Sequence, residues 1–376
     1  MQSVAKCVRA AAVAAVSVSA FSAQAQTWTP LAFGPLGGLP GGQYFTSVAD
    51  ISRDGRTFVG TTSTFYQVWR TPTQDYTMTG GSIYSISPNG LSAVGGNQAN
   101  QPPRRWDIAN AVGSSIAHTD IGSINYGPAY AANSAMTAFA FPTPTSILTG
   151  GVRTTAQSVF QAANIGASAG AYRGLASDAP IMNVLGFIPG NPTNAYRWNY
   201  QTNNLQPLAL PAGASSISLS TLPGSITADG GRSVGYYSAS APILPGWWDE
   251  SGAAHPVTLL SGSVTGNLLT INYNGTLAGG LMGFTGGMGN RAILTDLATG
   301  EVINLDTAYR NAGYLPTGWI LRATHHISED GSRIFCVAEA PDGTSRVVLL
   351  EGSYLPTPGA LAVFAGGLLS MSRRRR

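Results

Sequence analysis

The chain has 376 residues, 44% of them hydrophobic and only 10% charged, with 47 Gly and 23 Pro. About a quarter of the residues in an ordinary globular protein are charged, so coiled coils, helical bundles and charged disordered tails are excluded. The formal charge of +3 comes from the ends: without Lys6, Arg9 and Arg373 to Arg376, the body holds 14 Arg against 17 acidic residues and no Lys, which argues against a basic surface for nucleic acid or membranes.

Residues 1–25 read as a secretory signal peptide. Lys6 and Arg9 form the positive n-region, Ala10 to Ser22 the apolar stretch, and Ala23-Gln24-Ala25 the small–x–small pattern of signal peptidase, leaving Gln26 as the new N-terminus. As a membrane anchor the 13-residue stretch is short, since its helix rises about 20 Å against a hydrocarbon core of about 30 Å. Cys7 precedes that stretch, where a lipoprotein cysteine would follow it.

In residues 26–352 one phrase recurs: an apolar residue, a small polar pair, Asp-Gly or Asn-Gly, then an alternating run. Its clear copies are Ile51-Ser52-Arg53-Asp54-Gly55, Ile86-Ser87-Pro88-Asn89-Gly90, Ile226-Thr227-Ala228-Asp229-Gly230, Ile271-Asn272-Tyr273-Asn274-Gly275 and Ile327-Ser328-Glu329-Asp330-Gly331. Asx-Gly pairs tolerate the positive φ of a tight hairpin turn. Weaker copies fall at Ala132-Asn133-Ser134-Ala135 and Ser177-Asp178-Ala179-Pro180. Seven turns near 55, 90, 135, 179, 230, 275 and 331 give a spacing of about 46 residues.

A second phrase follows the hairpins, an aromatic strand: Val68-Trp69-Arg70, Arg104-Arg105-Trp106, Tyr196-Arg197-Trp198 and Trp247-Trp248-Asp249. Four short antiparallel strands per repeat of about 45 residues is the pattern of a β-propeller blade. The prediction is an all-β propeller of seven blades, with six or eight as neighbouring counts, flanked by an N-terminal signal helix and a C-terminal apolar helix. A pair of β-sandwiches is the alternative; a β-helix would need a shorter, stricter repeat. Strands at Thr27 to Leu31 and Arg346 to Leu350 are expected to pair in one blade and close the ring, removing two sheet edges.

These phrases resemble the HAF-type extracellular repeats of bacteria. The resemblance is carried by Leu36-Gly37-Gly38-Leu39-Pro40-Gly41-Gly42, Val48 to Gly55, Phe58-Val59-Gly60 and Trp69-Arg70. It is good over 31–106, recurs around 181–235 and is faint in 107–175. It implies a secreted, propeller-like architecture and no particular activity.

Catalytic signals are sparse. The histidines are His118, His255, His325 and His326, with no zinc-ligand spacing. Adjacent side chains on a strand face opposite ways, so His325 and His326 are not expected to share a metal. Asp54, Asp229 and Asp330 sit where Asx side chains cap their own turns. The residues two before each turn are Ser52, Ser87, Thr227, Asn272 and Ser328, so a calcium loop is not expected. Asp249-Glu250, beside Trp247-Trp248, is the one carboxylate pair with an aromatic neighbour, but adjacent carboxylates rarely span a glycosidic bond. The tryptophans are expected as wedges between blades, and Cys336, the only cysteine of the body, as a packed apolar residue. Serine-hydrolase and P-loop signatures are absent. No catalytic, cofactor-binding or metal residue is assigned.

Residues 353–376 form a third segment. Pro356-Thr357-Pro358-Gly359 precede an apolar run to Ser372 and then Arg373-Arg374-Arg375-Arg376. A short apolar helix with a cationic stop suits a transiently inserted segment. The layout resembles the PEP-CTERM sorting signal, with Thr357 where the usual motif has Glu. That resemblance implies recognition by an exosortase; a plain single-pass anchor is the alternative. The sequence therefore predicts an exported, non-catalytic propeller at the bacterial cell surface or in the extracellular matrix, structural, adhesive or binding in role. Its expected partners are signal peptidase, exosortase, extracellular polysaccharide and, through the C-terminal helix, the membrane, but no nucleic acid. The alternative is a secreted glycosidase or lyase acting on polysaccharide.

Overall fold

The computed structural model describes residues 26–356, apart from 38, 40–41, 65–66, 80, 97–101, 122–128, 130, 144–145, 155–158, 162–170, 187–192 and 239–241. The expected signal helix and C-terminal apolar helix, at 1–25 and 357–376, lie outside the described residues. No described helix is long and apolar enough to cross a membrane. Residues 30–352 form one compact unit; residues 1–29 and 353–376 form another, described only at 26–29 and 353–356.

The chain is all-β. After β1 (Gln26–Pro35) come β2 (Phe45–Ile51), β3 (Phe58–Thr62), β4 (Gln67–Arg70) and β5 (Asp75–Met78). They are followed by β6 (Ser82–Ile86), β7 (Ser92–Gly96), β8 (Arg104–Val112) and β9 (Ser115–Asp120). Next are β10 (Ala131–Ala132), β11 (Ala138–Thr143), β12 (Ser146–Thr154) and β13 (Val159–Gln161), then β14 (Ala171–Leu175), β15 (Ile181–Leu185), β16 (Ala195–Asn199) and β17 (Asn204–Pro207). β18 (Ser216–Leu219), β19 (Ser233–Ser238), β20 (Ile243–Trp248) and β21 (Ala254–Pro256) precede β22 (Ser263–Ile271), β23 (Leu277–Phe284), β24 (Gly289–Asp296) and β25 (Val302–Asn304). A short helix α1 (Leu305–Asn311) leads to β26 (Ile320–Ile327), β27 (Arg333–Glu339) and β28 (Ser345–Pro356).

Among the described residues these strands make five four-stranded sheets and one of eight. The eight-stranded sheet is two meanders, β2–β5 and β6–β9, joined by a two-residue parallel contact between β5 and β9. The last sheet has the order β1-β28-β27-β26, and Leu36 N–H donates to Val347 O at 3.0 Å just beyond β1. The first and last described strands thus share one sheet, as expected.

Every turn between the first and second strand of a meander is built alike. The N–H of residue i donates to the carbonyl of residue i+5 at 2.7–3.0 Å, with i at Ser52, Ser87, Asn133, Ala176, Thr227, Asn272 and Ser328. The hydroxyls of Ser52, Ser87, Thr227 and Ser328 donate to the Asx side chain two residues on, at 2.6–2.7 Å. Gly55, Gly90, Gly230, Gly275 and Gly331 take φ between 64° and 74°, where a Cβ is strained. At the 133 turn Met136 holds this position, at φ 53°.

A bulge stands three residues before most of these turns, for instance at Tyr84 in β6, Leu269 in β22 and His325 in β26. The strand opposite carries glycine because a bulged backbone approaches closely. A Cβ on Gly95 or Gly280 would lie 2.0 Å from Ser82 O or Asn267 O. This accounts for the Val-Gly and Gly-Gly dipeptides that follow the turns in the sequence.

The core consists of successive clusters, each between two neighbouring meanders. Val59 and Trp69 pack with Ile83, Ile86 and Ala93. Ala138 and Val152 pack with Met182 and Trp198, and Val234 packs with Leu268, Met282 and Ile293. Trp69, Trp106, Trp198 and Trp248, on the third strands, are wholly buried. They are the expected wedges, and each fully buried large side chain stabilises by about 1.5–3 kcal/mol.

Candidate functional site

The first strands converge on a central cavity lined by residues from every meander. Its volume is about 40 Å³; a water needs roughly 10–15 Å³ on this measure, so a few waters fit and a sugar ring does not. The repeated isoleucines Ile51, Ile86, Ile226, Ile271 and Ile327 line it, with Asp50, Ser85, Thr270 and His326 one position upstream. Asp50 accepts from Ile51 N (2.9 Å), Ile86 N (3.0 Å) and Ser85 Oγ (2.9 Å). Burial outweighs these bonds and raises its pKa from 3.8 to about 6. His326 Nε2 lies 3.2 Å from Val48 O and therefore donates to it. Burial, then the neighbouring His325, lowers its pKa to about 3.

Side chains cover this cavity. Tyr273 reaches across to donate from its hydroxyl to Ile51 O at 3.2 Å. Arg53 lies over the Tyr273 ring at 5.1 Å and pairs with Asp178 at 2.5 Å. Around them the turns bond to one another: Arg53 N to Pro88 O, Ser134 N to Ser177 O, Asp178 N to Ala228 O, Ala228 N to Tyr273 O, and Glu329 N to Arg53 O, at 2.7–3.0 Å. Asn272 and Asn274 side chains both donate to Glu329 O at 2.9 Å. Pro88, lacking an N–H, cannot donate the corresponding bond.

Larger space lies off the axis. A groove of about 410 Å³ runs between the 227 and 272 turns and the loop joining β20 to β21, within the size range of small-ligand sites. Trp247 and His255 are register partners on β20 and β21, and their rings stack at 4.0 Å and 12°. His255 Nε2 donates to Asp249 Oδ2 at 2.8 Å, the carboxylate being able only to accept. Asp249 also accepts from Ser251 Oγ at 2.6 Å and from the backbone of Ser251 and Ala253. The Ser251 hydroxyl and then His255 hold this carboxyl well below the usual carboxylate range. Arg232 places its guanidinium 5.2 Å from the Trp247 ring centre and donates to Gly275 O. Asp229 and Glu250, both exposed, complete the rim. Beneath, buried Arg197 donates to Trp248 O (2.7 Å) and Ser233 Oγ (3.1 Å), and burial lowers its pKa to about 10.

The structure thus gathers His255 and the Asp249-Glu250 pair with Asp229, but leaves the other histidines apart. His118 lies on β9, 3.8 Å from Asp120. His325 is a bulge residue, so the strict alternation expected of His325 and His326 does not hold there. Cys336 is buried, and its thiol is pushed up to about 12 by burial. Gln26 begins β1 and Pro356 ends β28; Ala23, Ala25, Thr357, Pro358, Gly359 and Arg373 to Arg376 lie outside the described residues. Sequence reasoning missed Asp50, which sits just upstream of the repeated isoleucine. It also missed Arg232 as a groove residue.

No family model and no curated protein matches the chain. Solved structures do. An oligogalacturonate lyase in complex with manganese and the oligogalacturonate lyase of Vibrio parahaemolyticus each share 11% identity, with TM-score 0.55, 87% of this chain and 98% of theirs. The β-propeller domain of the Trilobed protease from Pyrococcus furiosus, described as having an open velcro topology, shares 9% over 83% and 95%, with TM-score 0.51. At such identity the likeness concerns the fold, and the fold is a β-propeller.

Proposed function

We propose that this chain is an exported, surface-sorted propeller of seven blades that binds rather than catalyses, in the bacterial envelope or extracellular matrix. One observation carries the binding reading. The axis, where the blades meet, is covered by the protein's own Tyr273, Arg53 and Asp178, while larger open space lies off the axis, including a rim groove rich in polar side chains. The signal peptide, the exosortase-type tail and the bodywide absence of Lys support export and surface exposure. The test is the intact mass of the protein from its native envelope fraction. A chain from Gln26 to near Pro356 is expected, and a mass that retains Arg373 to Arg376 would overturn sorting by an exosortase.

A second reading, a propeller enzyme on polysaccharide, rests on the Asp249–His255 pair, an imidazole oriented by a carboxylate as in general-base sites. Incubation with a polysaccharide panel separates the two. Binding without new chain ends is expected, and new reducing or unsaturated ends would establish the enzyme.

A further inference from the structure

The rim groove has a chemical bias that its geometry makes legible. Its carboxylates are Asp229, Asp249 and Glu250; its cations are Arg232 on the wall and Arg197 beneath, both already donating to protein oxygens. Asp249 is also engaged: one oxygen receives the Ser251 and Ala253 donors, the other His255. Glu250 and Asp229 differ. Among the described residues no donor meets the Glu250 carboxylate, and Asp229 uses only Oδ1, toward Thr227 and Gly231. Two carboxylates with open acceptor sites thus line the same groove as the Trp247–His255 stack, with Arg232 over the Trp247 ring and its charge felt by Asp229. A ligand that complements them presents cationic donors, with hydroxyls for the mixed donors and acceptors of Ser251 and His255. Anionic sugars meet like charge there.

We infer that this groove binds an oligosaccharide bearing protonated amines, a hexosamine chain, with Glu250 and Asp229 receiving the ammonium groups beside the Trp247–His255 stack. This rests on the binding-propeller reading and names its ligand class. The groove's volume admits one or two sugar rings, and the axial cavity admits none.

The experiment is calorimetric titration of the purified protein, at about pH 5.5 where amines are protonated and carboxylates ionised. The probes are a glucosamine tetramer, its fully N-acetylated form, a galacturonate tetramer and tetra-arginine. Binding of the glucosamine tetramer is expected, weakened about tenfold by Glu250→Gln, which removes one charge-assisted hydrogen bond, and more by full N-acetylation, which removes the ammonium partners of both carboxylates. Asp229→Asn, which keeps an Asx side chain in its turn, is expected to weaken it similarly, and the galacturonate should not bind. Equal affinity for the acetylated form, indifference to both substitutions, or tighter binding of tetra-arginine would overturn the inference. No binding by any probe would overturn the ligand class alone. Cleavage of a probe, followed by mass spectrometry in the same samples, would instead overturn the non-catalytic reading.

Discussion

Asp50 and His326 face each other inside the axial cavity with Oδ1 and Nδ1 3.9 Å apart, one from the second strand of the chain and one from the third-last. Both residues are buried. Burial favours the neutral forms of both, so below about pH 6 the carboxyl holds its proton while the ring stays uncharged.

This makes a sign-definite pH prediction. The folded pKa of Asp50, about 6, lies above its unfolded 3.8, so the fold binds the extra proton and its contribution to stability falls as pH rises between those values. The folded value of His326, about 3, lies below 6.5, so its contribution rises with pH across the same window. The two slopes cancel between about pH 4 and 6. Asp50→Asn removes the first, and relative to wild type it should gain about 3 kcal/mol from pH 4 to above 6. Denaturant titrations of both proteins at several pH values check this. A constant difference would show that Asp50 does not hold the proton.

Glycines opposite the bulges should tolerate nothing larger. Gly95→Ala places its Cβ 2.0 Å from Ser82 O, against the backbone of Ser82 and Ile83, and should cost about 3 kcal/mol or prevent folding. Gly37→Ala, with nothing within 4 Å, should be near neutral. Thermal melts of the two variants would show the contrast; equal melting temperatures would mean that the bulged strands yield.

Met136 poses two effects against each other. Replacing it by glycine relieves a φ of 53°, worth about 1 kcal/mol. It also empties a buried site between Val94, Ala129 and Phe139, where truncating methionine costs about 2–5 kcal/mol. Packing should win, and Met136→Gly should lower the denaturation midpoint. A raised midpoint would assign the larger effect to backbone strain.

Cys336 should resist thiol reagents in the native protein. It is wholly buried, with its thiol pKa pushed up to about 12 by burial, and its neighbour at 3.7 Å is Thr324 Oγ1. Labelling is expected only at the rate of unfolding, whereas rapid labelling under native conditions would place the thiol in reach of solvent.

The turns were legible because their chemistry is local. Ser52, Asp54 and Gly55 meet within four residues, and the same grammar repeats at Asn89-Gly90, Asp229-Gly230 and Asp330-Gly331. The 176 turn was faint because Ala176 and Ala179 stand where its counterparts carry a hydroxyl or amide and a glycine, so only its backbone bond betrays it. The groove was hidden for a different reason. His255 joins Trp247 through the register of β20 on β21, and Asp229 joins both through a turn some twenty residues away. No spacing in the sequence encodes that meeting. Asp50 and His326 come together only because β2 and β26, far apart in the sequence, lie side by side in the fold.

The placement of β28 has a mechanical side. That strand lies between β1 and β27, and with β27 alone it forms seven register pairs from Arg333↔Glu351 to Glu339↔Ser345. A body tethered through its C-terminal tail takes the load along this strand. Drag on such a tether must shear ladders on both flanks at once, because neither flank is free to peel. β1 is an outermost strand, so the same pull applied there loads a ladder on one flank only. A pull along β28 therefore meets hydrogen-bond ladders on both of its flanks.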